Sequence, residues 1–164
     1  MTFETLLSKL TEEFEDSVSG YSQYSCNFVK AKVEIAKELL KKLKCEYNFK
    51  YLSDIVAIHW PKKKEAFELS YNLFNIDAKL RIFVKVSLEK PEAETVTDIW
   101  KSANFLEREQ YDLVGVVFRG HPDLRRILLP EFFEGHPLRK NFELKDRSWY
   151  NLVDEQNLGI KFTK

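Results

Sequence analysis

Between Asn104 and Phe142 the chain gathers the residue types from which an active site could be assembled. Glu107, Glu109, Asp112 and Asp123 supply carboxylates, His121 and His136 imidazoles, and Arg108, Arg119, Arg125, Arg126, Arg139 and Lys140 cations. Acids and imidazoles in one span could serve general acid–base hydrolysis or hold a metal ion. The spacing argues against both. Glu107 and Glu109 stand at i and i+2 and diverge on a helix, and no HxxxH or HxxE pattern sets a histidine and a carboxylate on one helical face. The stretch lacks GxSxG, a neighbouring nucleophilic cysteine and a phosphate-binding glycine loop. His121 and His136 each precede a proline, Pro122 and Pro137, which favours turn or extended backbone and a structural hydrogen bond for the ring. A hydrolase using His121 and Asp123 is the catalytic alternative, and it requires turnover by the purified chain.

The same residues also read as an ion-pair network. The acids at 107, 109, 112, 123, 131 and 134 are matched in number by the cations, and the arginine fork suits buried carboxylates. Stripping one partner from a buried pair costs about 3–5 kcal/mol, so substitutions here are severe even without catalysis. Three of the five prolines (Pro122, Pro130, Pro137) and three of the five glycines (Gly115, Gly120, Gly135) fall here, among Leu124, Ile127, Leu128, Leu129, Phe132, Phe133 and Leu138. Proline cannot sustain a long ladder, yet these apolar side chains must leave water. Either the stretch is an arm laid on a partner, with Leu128, Leu129, Phe132 and Phe133 in contact and Arg125, Arg126 and Arg139 orienting it, or its pairs close the domain's own surface. Composition leaves both readings open.

The elements that position this stretch follow from periodicity. Phe3, Leu6, Leu7, Leu10 and Phe14 predict a helix over about 3–16, capped by Thr2. Residues 17–22 read as a loop, 24–29 as a strand, and 32–44 as a helix with Val33, Ala36, Leu39, Leu40 and Leu43 on one side. Its lysines form a solvated face and complement the dipole at its C-terminal end. A strand over 51–60 ends at Pro61, before a polar loop over 62–65; its lone His59 reads as a residue satisfied by a neighbour. Alternation over 67–73 and 80–88 predicts an antiparallel hairpin. Residues 90–94 read as a linker, and Thr95 with Asp98 as a capping box opening a helix that buries Ile99, Trp100, Ala103, Phe105 and Leu106. The sum is an α+β two-layer sandwich: a mostly antiparallel sheet of about four strands with helices on one face. Residues 1–119 form this domain and 120–164 an extended arm and tail, with too little apolar density from Ser148 onward to rebuild a core.

At 164 residues the chain supports one domain with a core. Its 26 basic and 26 acidic residues cancel, which removes the electrostatic case for binding nucleic acid. Cys26 and Cys45 are too few and too far apart for a zinc or cluster site of their own and read as free thiols. The N-terminus lacks the basic start and apolar run of a secretory signal, and no stretch reaches the roughly 20 apolar residues of a membrane-spanning helix. Membrane association therefore has to come through a partner.

Residues 107–109 (GluArgGlu), 111–113 (TyrAspLeu), Gly115, Phe118, 120–128 (GlyHisProAspLeuArgArgIleLeu) and 135–140 (GlyHisProLeuArgLys) closely resemble, in fixed order, the signature of the 30 kDa (NuoC-like) subunit of respiratory complex I, the proton-translocating NADH:quinone oxidoreductase. The order of helices and strands from about Phe3 also looks like that family. One departure stands at the end: Asn141, Phe142 and Glu143 follow Lys140, where the family usually reads ArgLysAsp and then an aromatic residue and Pro. The resemblance implies a peripheral-arm subunit on the cytoplasmic side of the membrane that docks on the large, 49 kDa-type subunit and supports electron transfer from NADH to quinone. It implies no cofactor in this chain, with FMN and iron–sulfur clusters, NADH and quinone all on other subunits. Its signature residues would then be interface residues: Glu107, Arg108, Glu109, Asp112, Gly115, His121, Pro122, Asp123, Arg125, Arg126, Leu128, Phe132, Gly135, His136, Pro137, Arg139 and Lys140. An equivalent subunit of a membrane-bound hydrogenase or another donor:quinone oxidoreductase is the alternative the resemblance allows.

Overall fold

The computed structural model describes residues 2–64 and 66–143, together with positions 156 and 159. The chain opens with α1 (Phe3–Phe14), whose N-terminus is capped by the Thr2 hydroxyl accepting from the Thr5 amide, and a short 3-10 turn follows over Glu15–Ser17. Where a loop is expected over 17–22, the chain forms β1 (Val18–Gln23), paired antiparallel with β2 (Cys26–Ala31) through a tight turn at Tyr24 and Ser25. The small polar residues of β1 hide the strand rhythm for a reason the packing supplies. A Cβ on Gly20 would lie 2.6 Å from Leu7 Cδ1, so a larger residue there would have to push the Leu7 side chain of α1 aside.

After α2 (Val33–Cys45) come three long strands, β3 (Tyr51–His59), β4 (Phe67–Asn75) and β5 (Leu80–Leu88). The sheet has five strands, one more than expected, in the order β1-β2-β5-β4-β3. Its one parallel pairing joins β2 to β5, because α2 carries the chain across before the β3–β4–β5 meander returns it. Leu69, Tyr71, Leu73, Ile82, Val84 and Val86 alternate inward and share one core with Leu6 and Leu10 of α1 and Leu39, Leu40 and Leu43 of α2. All three helices contribute to this core on one side of the sheet, so the α+β two-layer expectation holds.

Residues 90–94 are more than a linker. Within them β6 (Glu92–Glu94) pairs in parallel with β7 (Val117–Arg119), and α3 (Ala103–Val114) runs between the two. The expected capping box at Thr95 and Asp98 does not form: α3 starts later, with Ser102 at its N-cap and no side-chain cap bond. Thr95 is engaged elsewhere, by Glu107 and Thr97. Beyond Gly120 the described residues, through Glu143, contain no helix or strand. The arm and tail expected to run to residue 164 lie outside the described residues beyond 143, apart from positions 156 and 159, as does Glu65 of the 62–65 loop.

Candidate functional site

Helix α3 is the spine of the site, and its polar side chains are buried against the grain of their chemistry. Glu107 and Asp112 are wholly inaccessible to solvent and Gln110 nearly so. Charged groups are rarely buried unless their hydrogen bonds are completed, so each should have a built partner set.

Asp112 has the most complete one. Its Oδ1 accepts from Arg126 Nη1 at 2.7 Å, while Oδ2 accepts the successive amides of Ile127, Leu128 and Leu129 at 3.0, 2.8 and 2.9 Å. Burial alone would raise its pKa, but the Leu129 amide, the Arg126 guanidinium and the Leu128 and Ile127 amides hold the carboxyl below the usual range. Three consecutive N–H groups converging on one oxygen fix the local backbone, so the segment keeps one conformation without secondary structure.

The segment is tied back along its length in the same manner. Arg108 donates to the carbonyls of Arg125 and Arg126, and Arg126 also donates to that of Gly135. His136 Nδ1 bonds the Asp112 carbonyl at 2.9 Å, and Arg139 Nε donates to the Val114 carbonyl at 2.6 Å. His121 bonds the Asn104 carbonyl through Nε2 and accepts the Asp123 amide at Nδ1, which makes Nε2 the protonated nitrogen. The Asp123 carboxylate instead meets Arg125 at 2.9 Å. His121 is therefore not paired with the Asp123 carboxylate as the hydrolase alternative needs, because that carboxylate faces a cation and the imidazole closes a turn. Lys140 contributes its amide to His59 Nδ1, a contact spanning half of the sequence, while its side chain stays exposed.

Gly115 terminates α3 at φ +79°, and its missing Cβ makes room for His136 and Arg139, which would stand 2.4 and 2.5 Å from it. The His136 pKa is lowered, first by burial, and the Arg139 and Arg126 charges add to that against the help it receives from Asp112. Glu107 lies apart from the arginines: its oxygens accept from the Thr95 hydroxyl at 2.6 Å and the Val96 amide at 2.7 Å. Burial pushes its carboxyl up to about 7, against those two hydrogen bonds. Glu109 is half-buried on the helix flank, Pro122 is exposed, and Pro137 and Phe132 are half-buried.

Sequence reasoning brought these residues together but assigned some wrongly. The pairs are mixed in kind: Asp112 with Arg126 and Asp123 with Arg125 are carboxylate–arginine pairs, whereas Arg108 and Arg139 spend their donors on carbonyls. Phe105, expected in the core, is 61% exposed. Its position three residues before Arg108 puts it on the helix flank that receives the arm, a placement its apolar character disguises. Leu128 at 61% and Leu138 at 57% exposure point away from the body although their backbones are pinned, whereas Leu129, Phe132 and Phe133 are less exposed.

The description of the family matched by residues 29–148 is "Respiratory-chain NADH dehydrogenase, 30 Kd subunit". An NADH-quinone oxidoreductase subunit from Geobacter metallireducens is 41% identical over 143 residues, covering 84% of this chain and 87% of the relative. Among solved structures, the trypsin-resistant fragment of Nqo5 superposes with a TM-score of 0.67 at 34% identity, covering 76% of this chain and all of the fragment. A chain of the membrane-bound sulfane sulfur reductase, an archaeal respiratory membrane complex, superposes with a TM-score of 0.74 over 98% of this chain and 95% of its own length, at 24% identity.

Proposed function

The chain belongs to the family of the 30 kDa subunit of respiratory-chain NADH dehydrogenase, and from that premise we propose that it is an architectural subunit whose pinned arm docks on the large, 49 kDa-type subunit. One observation carries the reading. The arm's backbone is held in a single register by Asp112 and Arg126, while Leu128 and Leu138 are turned outward. An isolated domain gains nothing from fixing apolar side chains in water, whereas a docking surface gains pre-organisation, since the entropy of ordering the arm is spent before binding.

In this reading the chain carries no cofactor. FMN and the iron–sulfur clusters belong to other subunits, and the chain supports electron transfer from NADH to quinone by holding its neighbours in place. The use of His121 and His136 for carbonyl contacts supports this. No helix among the described residues is long and apolar enough to cross a membrane. In this reading the chain is attached through the complex, on its cytoplasmic side. The shared fold does not separate this role from that of an equivalent subunit in another respiratory complex; the 41% identity to an NADH-quinone oxidoreductase subunit favours the quinone reductase.

The experiment is to replace Leu128 and Leu138 together by Glu in the tagged chain and measure recovery of the large subunit from solubilised membranes. Loss of that subunit with an unchanged unfolding midpoint is expected. Undiminished recovery would refute the docking role of the arm. Arg126 is the wrong probe, because its guanidinium serves Asp112 within the chain.

A further inference from the structure

Glu107 and Asp112 are both wholly buried on α3, and their surroundings differ in kind. Asp112 meets a guanidinium and three amides, a set of donors only, which fixes it as an anion. Glu107 has no ion-pair partner among the described residues. Its Oε1 accepts the Val96 amide at 2.7 Å, and its Oε2 lies 2.6 Å from the Thr95 hydroxyl, a group that can donate or accept. A buried carboxylate with no cation to hold its charge, beside a hydroxyl of either polarity, is suited to both protonation states.

The hydroxyl row continues outward. Thr95, itself buried, stands 2.9 Å from the Thr97 hydroxyl and accepts the Thr97 amide at 3.2 Å, and Thr97 is only half-buried. The row Glu107–Thr95–Thr97 therefore runs from a dry interior to the surface. With Glu107 ionised, Thr97 donates to Thr95 and Thr95 to the carboxylate. With Glu107 protonated, the carboxyl donates to Thr95 and Thr95 to Thr97, while Oε1 keeps the Val96 amide. No buried donor or acceptor in the row is stranded in either state, so a change of charge does not require the site to open. Three other ionisable groups act on Glu107 or feel its charge. Lys37 of α2 is held by Asp98 at 3.2 Å and Glu94 at 4.0 Å. Tyr71 of β4 is buried, and burial, then the Glu107 charge, raises its phenol. Burial of Glu107, and after it the Asp98 charge, favours the neutral acid, against Thr95, Val96 and Lys37.

We propose that Glu107 is a buried proton-binding site, and that Thr95 and Thr97 relay the proton between it and solvent. A proton arriving at Thr97 Oγ1 displaces that hydroxyl's own proton to Thr95 Oγ1, and Thr95 passes its proton to Glu107 Oε2. Each hydroxyl ends neutral, the carboxylate becomes a carboxylic acid, and the row is left in the reversed polarity. Release runs the same steps backwards. The site uses no residue of the arm and does not rest on where the arm docks.

Infrared difference spectra of the full chain between about pH 6 and about pH 8, a range in which ordinary carboxylates stay ionised, test the site. A carboxylic-acid C=O band present at the lower pH and gone at the higher is expected, and Glu107→Gln should lack it. The Val96 amide should stay protected from hydrogen exchange at both. After light-triggered proton release, Thr97→Val should acquire the band at least about tenfold more slowly than the wild type, because the relay has lost its outer hydroxyl. Its band should also titrate at lower pH, since Thr95 has no acceptor for its proton once Glu107 is protonated. Thr97→Ser, which keeps the hydroxyl, should restore both. Absence of a pH-dependent band, or its survival in Glu107→Gln, would overturn the site. Equal rates in Thr97→Val and the wild type would overturn the relay, and so would slowing by Thr97→Ser. Exposure of the Val96 amide in step with the band would mean that the proton enters by opening of the fold, against the proposal. Thr97 is half-buried, so its variants keep the relay testable if Glu107→Gln does not fold.

Discussion

Asp112 and Arg126 meet at 2.7 Å with the Asp112 side chain fully buried, and the second oxygen of the same carboxylate holds three successive amides of the arm. The two residues are unequal partners. Arg126 has carbonyls at Asp112 and Gly135 to fall back on, whereas the amides of 127–129 have only the carboxylate. Asp112→Ala, which removes the acceptor of all three amides, should therefore cost about 3–5 kcal/mol, the range for breaking a buried pair. Arg126→Ala should cost less, about 1–2 kcal/mol, because the hydrogen-bonded carboxylate survives. Urea midpoints give both values, and equal losses would contradict this hierarchy.

Stability against pH should show two opposing limbs. Asp112 has a depressed pKa, so its contribution is complete above the ordinary carboxylate range and is lost as pH falls through its lower folded value. Glu107 works in the other direction. With its folded value near 7 and its ordinary value 4.5, the folded state binds more protons between those limits, and stability falls as pH rises through the window. The full effect is on the order of 3 kcal/mol. Glu107→Gln, which can donate to Thr95 while accepting from Val96, should match the wild type at pH 5 and exceed it at pH 8. Parallel pH profiles for the two proteins would remove Glu107 as the source.

The long elements were legible in the sequence because their periods were. The burial of β4 and β5 alternates along each strand, and the stripes of α1 and α2 contain every buried residue of each helix, although Leu7 and Phe14 are only half-buried and Val33 is exposed. β1 was hidden because its pairing rests on Gly20 and small polar residues, whose selection by Leu7 is a tertiary fact. The start of α3 was misplaced because Thr95 is a good cap in isolation, and only the fold brings the Glu107 carboxylate to its hydroxyl. The site's composition was visible, but its pairings were not. Whether Arg108 or Arg126 faces Asp112 depends on the path of an arm without periodicity, and so does the exposure of Phe105.

Gly115 offers a sharp steric test. Alanine there must adopt φ +79° and insert a methyl group against the His136 ring and the Arg139 guanidinium. Strain in the left-handed region costs about 1 kcal/mol, and the displaced ring adds a loss of similar size. Gly115→Ala should lower stability by about 2 kcal/mol in thermal or urea unfolding. In a His136→Ala background the penalty should shrink, since the two residues share one space. Strict additivity would show that backbone conformation alone makes glycine necessary.

Gln110 makes the most specific prediction about the sheet. β3 is an edge strand, and Gln110 Oε1 accepts the Ala57 amide at 2.9 Å, so a helix side chain stands in for a missing neighbour strand. Gln110→Met keeps the volume and removes the acceptor, leaving a buried N–H unpaired at a cost of about 1–3 kcal/mol. Hydrogen exchange should locate the damage, because the Ala57 amide loses protection while the amides of the central strands β4 and β5 lose only what the global change in stability dictates. Uniform acceleration across the sheet would mean that Gln110 acts only through overall packing. Acceleration at Ala57 beyond the global change would establish the side chain as the cover of that edge.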